Sequence, residues 1–193
     1  MERLLIKNDC LVDDLYIIHA QMNHFDRMLE LFLDAAHWLN TLGSSQWRHF
    51  LDGYGRDDIS ASINAGTAFL IMRNDVVIGS FTVQPTPDEW DIHIWGDAHL
   101  DDSVFLHRLV LSRSAAGNGL GGTILKWIEH NLEFPPHKKY IKLDCVGDNA
   151  KLNHFYVSNE YLFLGAAADG HHKYQKEIKH ITFQDNNLRG EIM

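Results

Sequence analysis

The stretch Leu109-Val110-Leu111-Ser112-Arg113-Ser114-Ala115-Ala116-Gly117-Asn118-Gly119-Leu120-Gly121-Gly122 decides the reading of this chain. A strand-like apolar run enters a cluster of four glycines. A helical pattern follows at once, with Leu120, Ile124, Ile128 and Leu132 on one face and Pro135-Pro136 behind it. Glycine has no Cβ, so its backbone N–H can approach a ligand closely. A helix N-terminus adds unpaired donors and a partial positive charge. Together they make a phosphate or pyrophosphate cradle. The same build also serves a helix packed tightly on a sheet. A P-loop would need Gly-Lys-Ser/Thr, and Gly121-Gly122-Thr123 lacks the lysine. A dinucleotide fingerprint fits only through Gly117, Gly119 and Gly122, with Asp144 as the following acid. That fingerprint belongs after the first strand of a unit, and here several strands come first.

Working upstream, Val104 to Leu111 reads as a central strand. Trp90-Asp91-Ile92-His93-Ile94-Trp95 alternates apolar and polar residues and reads as a strand or a bulged rim segment. Thr67 to Met72 and Val76 to Val83 flank Asn74-Asp75, a hairpin signature, and Pro85 and Pro87 end the second strand. Phe25, Met28, Leu29, Phe32, Ala36 and Leu39 recur at helical spacing and stop near Gly43. A shorter helix is expected over Asp57 to Asn64, and Leu15 to Ala20 reads as a strand. Downstream, Tyr140 to Val146 is a strand, and Asp148 caps a helix to about Asn159. Tyr161 to Ala166 and His172 to Ile178 close the sheet. The order β-α-(α)-β-β-β-α-β-α-β-β is that of a mixed α/β sheet. Residues 1–14 are expected as an N-terminal extension, 15–180 as one domain and 181–193 as a C-terminal tail.

Composition bounds the function. The chain has 193 residues, 17 Lys+Arg and 26 Asp+Glu, for a net charge of −9. Such a chain lacks the footprint of a nucleic-acid binder and repels anionic membranes. No apolar run approaches the ~18 residues of a membrane span. The N-terminus lacks a signal peptide's apolar core, so the cytoplasm is the expected compartment. Cys10 and Cys145 form no C-x-x-C pair. The 13 histidines include His93, His99, His107 and the adjacent His171-His172, none at metal-ligand spacing, so no metal is expected.

The chain resembles the GNAT N-acetyltransferase family. The family's Arg/Gln-x-x-Gly-x-Gly/Ala motif falls on Ala116-Gly117-Asn118-Gly119-Leu120-Gly121, with Gly119 and Gly121 matching and Ala116 in place of the Arg/Gln. The family's Asn-x-x-Ala-x-x-Leu/Phe-Tyr-x-x-x-Gly-Phe is similar to Asn149 through Tyr161. Asn149, Phe155 and Tyr156 match, Leu152 replaces Ala, and Glu160-Tyr161 replaces Gly-Phe. The segments around Gly43-Ser-Ser-Gln46-Trp47, Trp90-Asp91-Ile92 and His107-Arg108-Leu109 are similar to uncharacterised bacterial members. The resemblance implies a mostly antiparallel sheet flanked by helices, with the family's fourth and fifth strands splayed apart. It implies acetyl-CoA as cosubstrate. Gly117, Asn118, Gly119, Leu120, Gly121 and Gly122 would hold the pyrophosphate. Leu109, Val110 and Leu111 would pair with the pantetheine arm, and Asn149 would contact the cosubstrate or order the loop before it.

Acetyl transfer to an amine needs a polarised thioester, a neutral amine and an acid for the departing thiolate. In the family a Tyr takes the acid role, and Tyr156 stands at that position; its alternative is a Tyr packed on the sheet. Some family members carry a base Glu on the fourth strand, which here reads Val104-Phe105-Leu106-His107-Arg108. His107, Asp91, His93, the lesser candidate Glu89 and a water chain stay open as bases. Trp47, Trp90 and Trp95 with Asp91 and Asp97 either wall a cation-favouring acceptor pocket or form a minor hydrophobic cluster. The acceptor is expected to be a small-molecule amine, with a peptide amine as the other option. A homodimer and a monomer both fit. A non-catalytic acyl-CoA-binding module of the same fold is the alternative function, and a nucleotide-dependent enzyme the third.

Overall fold

The computed structural model describes residues 3–44, 46–97 and 100–180. The expected tail 181–193 and His99 lie outside them. The strands and helices, in order, are β1 (Leu5–Ile6), β2 (Cys10–Val12), β3 (Leu15–His19), α1 (Phe25–Thr41), α2 (Arg48–Leu51) and α3 (Arg56–Asn64). There follow β4 (Ala68–Arg73), β5 (Val76–Gln84), α4 (Glu89–Trp95), β6 (Ser103–Leu111), α5 (Leu120–Asn131) and β7 (Leu132–Glu133). The chain continues with β8 (Tyr140–Val146), α6 (Ala150–Ser158), β9 (Leu162–Ala166) and β10 (His171–Glu177). Among the described residues, eight strands form one sheet in the order β2-β3-β4-β5-β6-β8-β10-β9, and β1 pairs with β7 apart from it. Neighbours run antiparallel except β6 and β8, which are parallel. No helix among the described residues is long and apolar enough to cross a membrane.

Burial on both faces explains the unbroken apolar run of β4. Phe69 and Ile71 face one core, which Ile124 and Leu125 of α5 share. Ala68, Leu70 and Met72 face the other, with Phe32 of α1 and Ile59 of α3. Alternate residues of a strand point to opposite faces, so covering both faces demands apolar residues throughout. Asn74 and Asp75 take φ of 46° and 64°, which suits a tight hairpin turn.

Three expectations change. Leu4 is buried in the larger core, β1 pairs with β7 and β2 with β3, so the described part of the expected extension 1–14 is woven into the domain. The Trp90 to Trp95 segment is a helix, not a strand. Asp88 caps it, accepting from the Asp91 backbone N–H at 2.9 Å, while the Asp91 carboxylate accepts from the Asp88 N–H at 3.0 Å. That reciprocal box satisfies two end donors and outweighs a period-two pattern in so short a segment. The cap of α6 is Asn149 rather than Asp148, its side chain accepting from Leu152 N–H at 3.0 Å.

The expected splay is present. Among the described residues, β6 and β8 pair only at Ser103↔Tyr140, Val104↔Ile141 and Phe105↔Lys142, then diverge. A bulge lies just past that point. The β5–β6 register shifts between Ser80 and Thr82, where Ser80 faces Val110 and Thr82 faces His107. Arg108 takes the extra place at φ 52°. A bulge bends its strand, and here it turns β6 away from β8.

The end of α6 carries a testable strain. Tyr161 N–H donates to Tyr156 O at 3.1 Å and Glu160 N–H to Val157 O at 3.0 Å, the bonds of a Schellman cap. The left-handed residue in that cap is Glu160, at φ 67°, where the GNAT motif has Gly. Glu160→Gly relieves the Cβ clash, and Lys176 keeps its partner Glu129 at 2.9 Å. The expected result is a gain of up to about 1 kcal/mol, read as a rise in Tm of about 2–4 °C.

Candidate active site

The glycine turn has the free donors its sequence promised. Gly117 and Gly119 have φ of 91° and 75°, and a Cβ added at either meets nothing within 4 Å. The backbone N–H groups of Gly117, Asn118, Gly119, Leu120 and Gly121 have no acceptor among the described residues. Gly122 does not belong to that run: its N–H already donates to Gly119 O at 3.1 Å. Gly121 and Gly122 have a second reason to be small. A Cβ on Gly121 would stand 3.1 Å from the Phe155 ring, and one on Gly122 2.8 Å from Asn159 Oδ1. They let α5 lie close against α6. The free edge of β6 leads away from this turn. Val110 and Leu111 pair with β5 at Ser80 and Gly79, Leu109 lies in the bulge beside Arg108, and none of the three pairs with β8, which has already diverged.

Strand alternation sorts β8 into two faces at the splay. Leu143 and Cys145 join the larger core under α5 and α6. Lys142 and Asp144 face α4, where Trp90 Nε1 donates to Asp144 Oδ1 at 3.2 Å and Lys142 Nζ lies 4.9 Å from the centre of the Trp95 ring. Tyr156 is on the core side, buried, with its ring against Phe155, Tyr161 and Tyr174. Its hydroxyl makes no hydrogen bond among the described residues. Burial raises the phenol's pKa, and Cys145, Asp144 and Tyr174 push the same way, so it stays protonated. Burial, then Asp144, pushes the Cys145 thiol up to about 12, which leaves it inert.

On the α4 side, His107 and Asp91 meet. His107 Nε2 lies 3.2 Å from Asp91 Oδ1 and 3.3 Å from Oδ2, aligned for a bond with Oδ2. Asp91 is 1% exposed. Burial lifts its carboxyl above the usual range, and the bond from His107 opposes the rise. A carboxylate on Nε2 makes that nitrogen the donor and leaves Nδ1 with a free lone pair. Asp88, Asp91 and His107 offer three ligand atoms within 4.8 Å of one another. Both Asp88 oxygens and Asp91 Oδ2 are engaged in the α4 cap, the Gln84 amide and the His107 ring, while Asp91 Oδ1 is buried without a hydrogen-bond partner among the described residues. His93 is drawn elsewhere, to Asp169 Oδ2 at 3.2 Å. Glu89 lies exposed in the first turn of α4.

Two further residues stand at the site: Asp144, which the sequence offers only as the acid of a dinucleotide fingerprint, and Asn153, which it does not single out. Asp144 stands just past the last β6–β8 pair, and its Oδ2 bonds to nothing among the described residues. Burial raises its carboxyl, against the pull of the neighbouring His107 ring and the Trp90 bond. Asn153 ties α6 to the open end of β8 and to β10. Its amide donates to Val146 O at 3.0 Å and Asn149 O at 2.8 Å, and its Oδ1 accepts from Tyr174 at 2.6 Å. The aromatics do not converge as one wall. Trp47 packs with Phe32 and Phe50 in the smaller core, while Trp90 and Trp95 sit on α4. Asp97 is exposed beyond α4.

Residues 26–160 match the family described as Acetyltransferase (GNAT) family. The chain belongs to the GNAT acetyltransferase family. It is 38% identical over 178 residues to the "Uncharacterized N-acetyltransferase YesJ" of Bacillus subtilis, covering 92% of this chain and 98% of that protein. A GNAT-family acetyltransferase from Listeria monocytogenes superposes with a TM-score of 0.70 at 29% identity, over 84% of this chain and 94% of that one. A PaiA N-acetyltransferase from Thermoplasma acidophilum in complex with coenzyme A shares the fold, with a TM-score of 0.66 at 12% identity over 86% and 99%.

Proposed function

We propose that this acetyltransferase moves the acetyl group of acetyl-CoA directly to the primary amine of a small molecule. One observation carries the reading: a run of free backbone N–H groups, Gly117 to Gly121, opens onto an unpaired strand edge with a phenol on one side of it and carboxylates with an imidazole on the other. The glycine turn would bind the pyrophosphate and the edge of Leu109 to Leu111 the pantetheine arm. Asn149, by capping α6, orders the loop between β8 and that helix. The names of the B. subtilis relative and of the coenzyme A-bound T. acidophilum structure support both the reaction and the cosubstrate.

The amine enters from the α4 face. Asp144 holds it as an ammonium, and His107, oriented by Asp91, takes a proton through Nδ1. The neutral nitrogen attacks the thioester carbon to give a tetrahedral intermediate. As it collapses the C–S bond breaks, the leaving thiolate takes the Tyr156 proton, and the second proton shed by the acylated nitrogen passes to the Tyr156 oxygen, which restores the phenol. Products are the N-acetyl amine and CoA thiol. Two measurements test this. Acetyl-CoA should raise Tm where ATP and NAD do not, and thiol release should follow addition of some member of a primary-amine panel. Binding without thiol release from any amine would leave the non-catalytic acyl-CoA module, and a rise with ATP or NAD alone would overturn the cosubstrate.

A further inference from the structure

The far end of α4 collects donors without acceptors. Lys142 of β8 and Lys173 of β10 both reach the Trp95 indole, at 4.9 Å and 5.8 Å from its centre. Lys142 is buried, at 8% exposure. Neither lysine has a hydrogen bond or a carboxylate within ion-pair distance among the described residues. The Trp95 Nε1–H is buried and also has no acceptor among the described residues. The other well-buried lysines are served differently: Lys138 donates to Asp101 O and Ser103 O, and Lys176 lies between Glu129 and Glu160. Both lysines lie over the Trp95 ring in cation–π contact, which leaves their N–H donors without an acceptor, and a buried donor left so is unfavourable. Asp144 stands opposite Lys173 in the β8–β10 register, and the charges of Asp102 and Asp91 reach Lys142, yet no carboxylate among the described residues lies within ion-pair distance of either lysine, so both ammonium groups and the Trp95 N–H keep donors for an anion.

This spot adjoins the amine end of the site. Lys142 and Asp144 are two residues apart on one face of β8, about 7 Å along the strand. The helix α4 spans both, with Trp90 on Asp144 and Trp95 on Lys142. Resting on the acetyltransferase reading above, we propose that the acceptor is an amine that also bears an anionic group, and that Lys142, Lys173 and the Trp95 N–H receive that group while Asp144 receives the ammonium. The anionic group is a carboxylate or a phosphate, and the two differ only in the arms of the test.

Matched acceptors decide it: 4-aminobutyrate against butylamine, phenylalanine against phenethylamine, and phosphoethanolamine against propylamine. Each is assayed by thiol release and, independently of turnover, by calorimetric titration of the CoA-bound protein. The anionic member of at least one pair should be favoured about 10–100-fold, the range for a hydrogen bond to a charged group. The carboxylate and phosphate arms identify the group. Lys173→Gln should cut that preference about tenfold or more, and Lys142→Met likewise. Lys151→Gln, an exposed change on α6, should leave it intact. If Lys142→Met does not fold, Lys173→Gln alone decides. Equal use of both members of every pair, no binding of any anionic member, or a preference that survives in the lysine variants overturns the anion site. Failure of acetyl-CoA to bind overturns the transferase reading instead, and calorimetry with the matched pairs then judges the anion site by itself.

Discussion

Tyr156→Phe should lower kcat by about 10²–10⁴-fold and leave acetyl-CoA affinity within about twofold. The substitution is unusually clean here. The Tyr156 hydroxyl bonds to nothing among the described residues, so removing it orphans no partner. The ring contacts with Phe155, Tyr161 and Tyr174 remain, and Tm should stay within a degree or two. What is lost is one proton. Burial first, then Cys145, Asp144 and Tyr174, raises the phenol's pKa, so the group is loaded at every pH the enzyme meets. A phenol that holds its proton so tightly does not protonate the thioester at rest. It acts as negative charge builds on sulfur, donating a hydrogen bond that strengthens as the C–S bond lengthens, which is stabilisation of the transition state alone. The effect should therefore fall on kcat and kcat/KM alike, with little change in KM for acetyl-CoA. An unchanged kcat would give the acid role to water and leave Tyr156 a packing residue.

The parts of this site that were legible in sequence are those fixed by backbone rules. Positive φ at Gly117 and Gly119, the hairpin at Asn74-Asp75 and the helix after Gly119 follow from what glycine and asparagine permit locally. The splay of β6 from β8 came through the family resemblance, because a bulge at Arg108 leaves no composition signal. The helix α4 was missed because Trp90 to Trp95 alternates like a strand, yet Asp88 and Asp91 three residues apart carried the cap that decides it. The place of Asp144 at this site is hidden for another reason. Its importance depends on where pairing stops, at Phe105↔Lys142, and on α4 bringing Trp90 to it from 54 residues away. Neither is a local property. Asn153 was hidden likewise, since its partners His172 and Tyr174 lie on β10. His107 and Asp91 were named singly, and only the fold joined them.

Gly119→Val should weaken acetyl-CoA binding about 100-fold or more while the protein stays folded. In the protein alone, a Cβ at Gly119 meets nothing within 4 Å among the described residues, so the branch point of the added side chain disturbs no neighbour. Its structural cost is backbone strain at φ 75°, at least about 1–2 kcal/mol and greater for a β-branched residue in that conformation. The ligand sees something else. The N–H groups of Gly117 through Gly121 are the donors on offer, and two methyl groups in their midst hold a pyrophosphate off them. Losing two charge-assisted bonds at about 1.5–3 kcal/mol each gives 100-fold or more in Kd. Gly121→Ala is the matched contrast. There the new Cβ stands 3.1 Å from the Phe155 ring, so the damage falls on the contact between α5 and α6 and appears chiefly as a lower Tm. Calorimetric titration with CoA and thermal melts on both variants separate the two roles. A Gly119→Val protein that binds CoA as wild type does would move the pyrophosphate away from this turn, leaving its glycines a role in the turn and in the packing of α5 on α6.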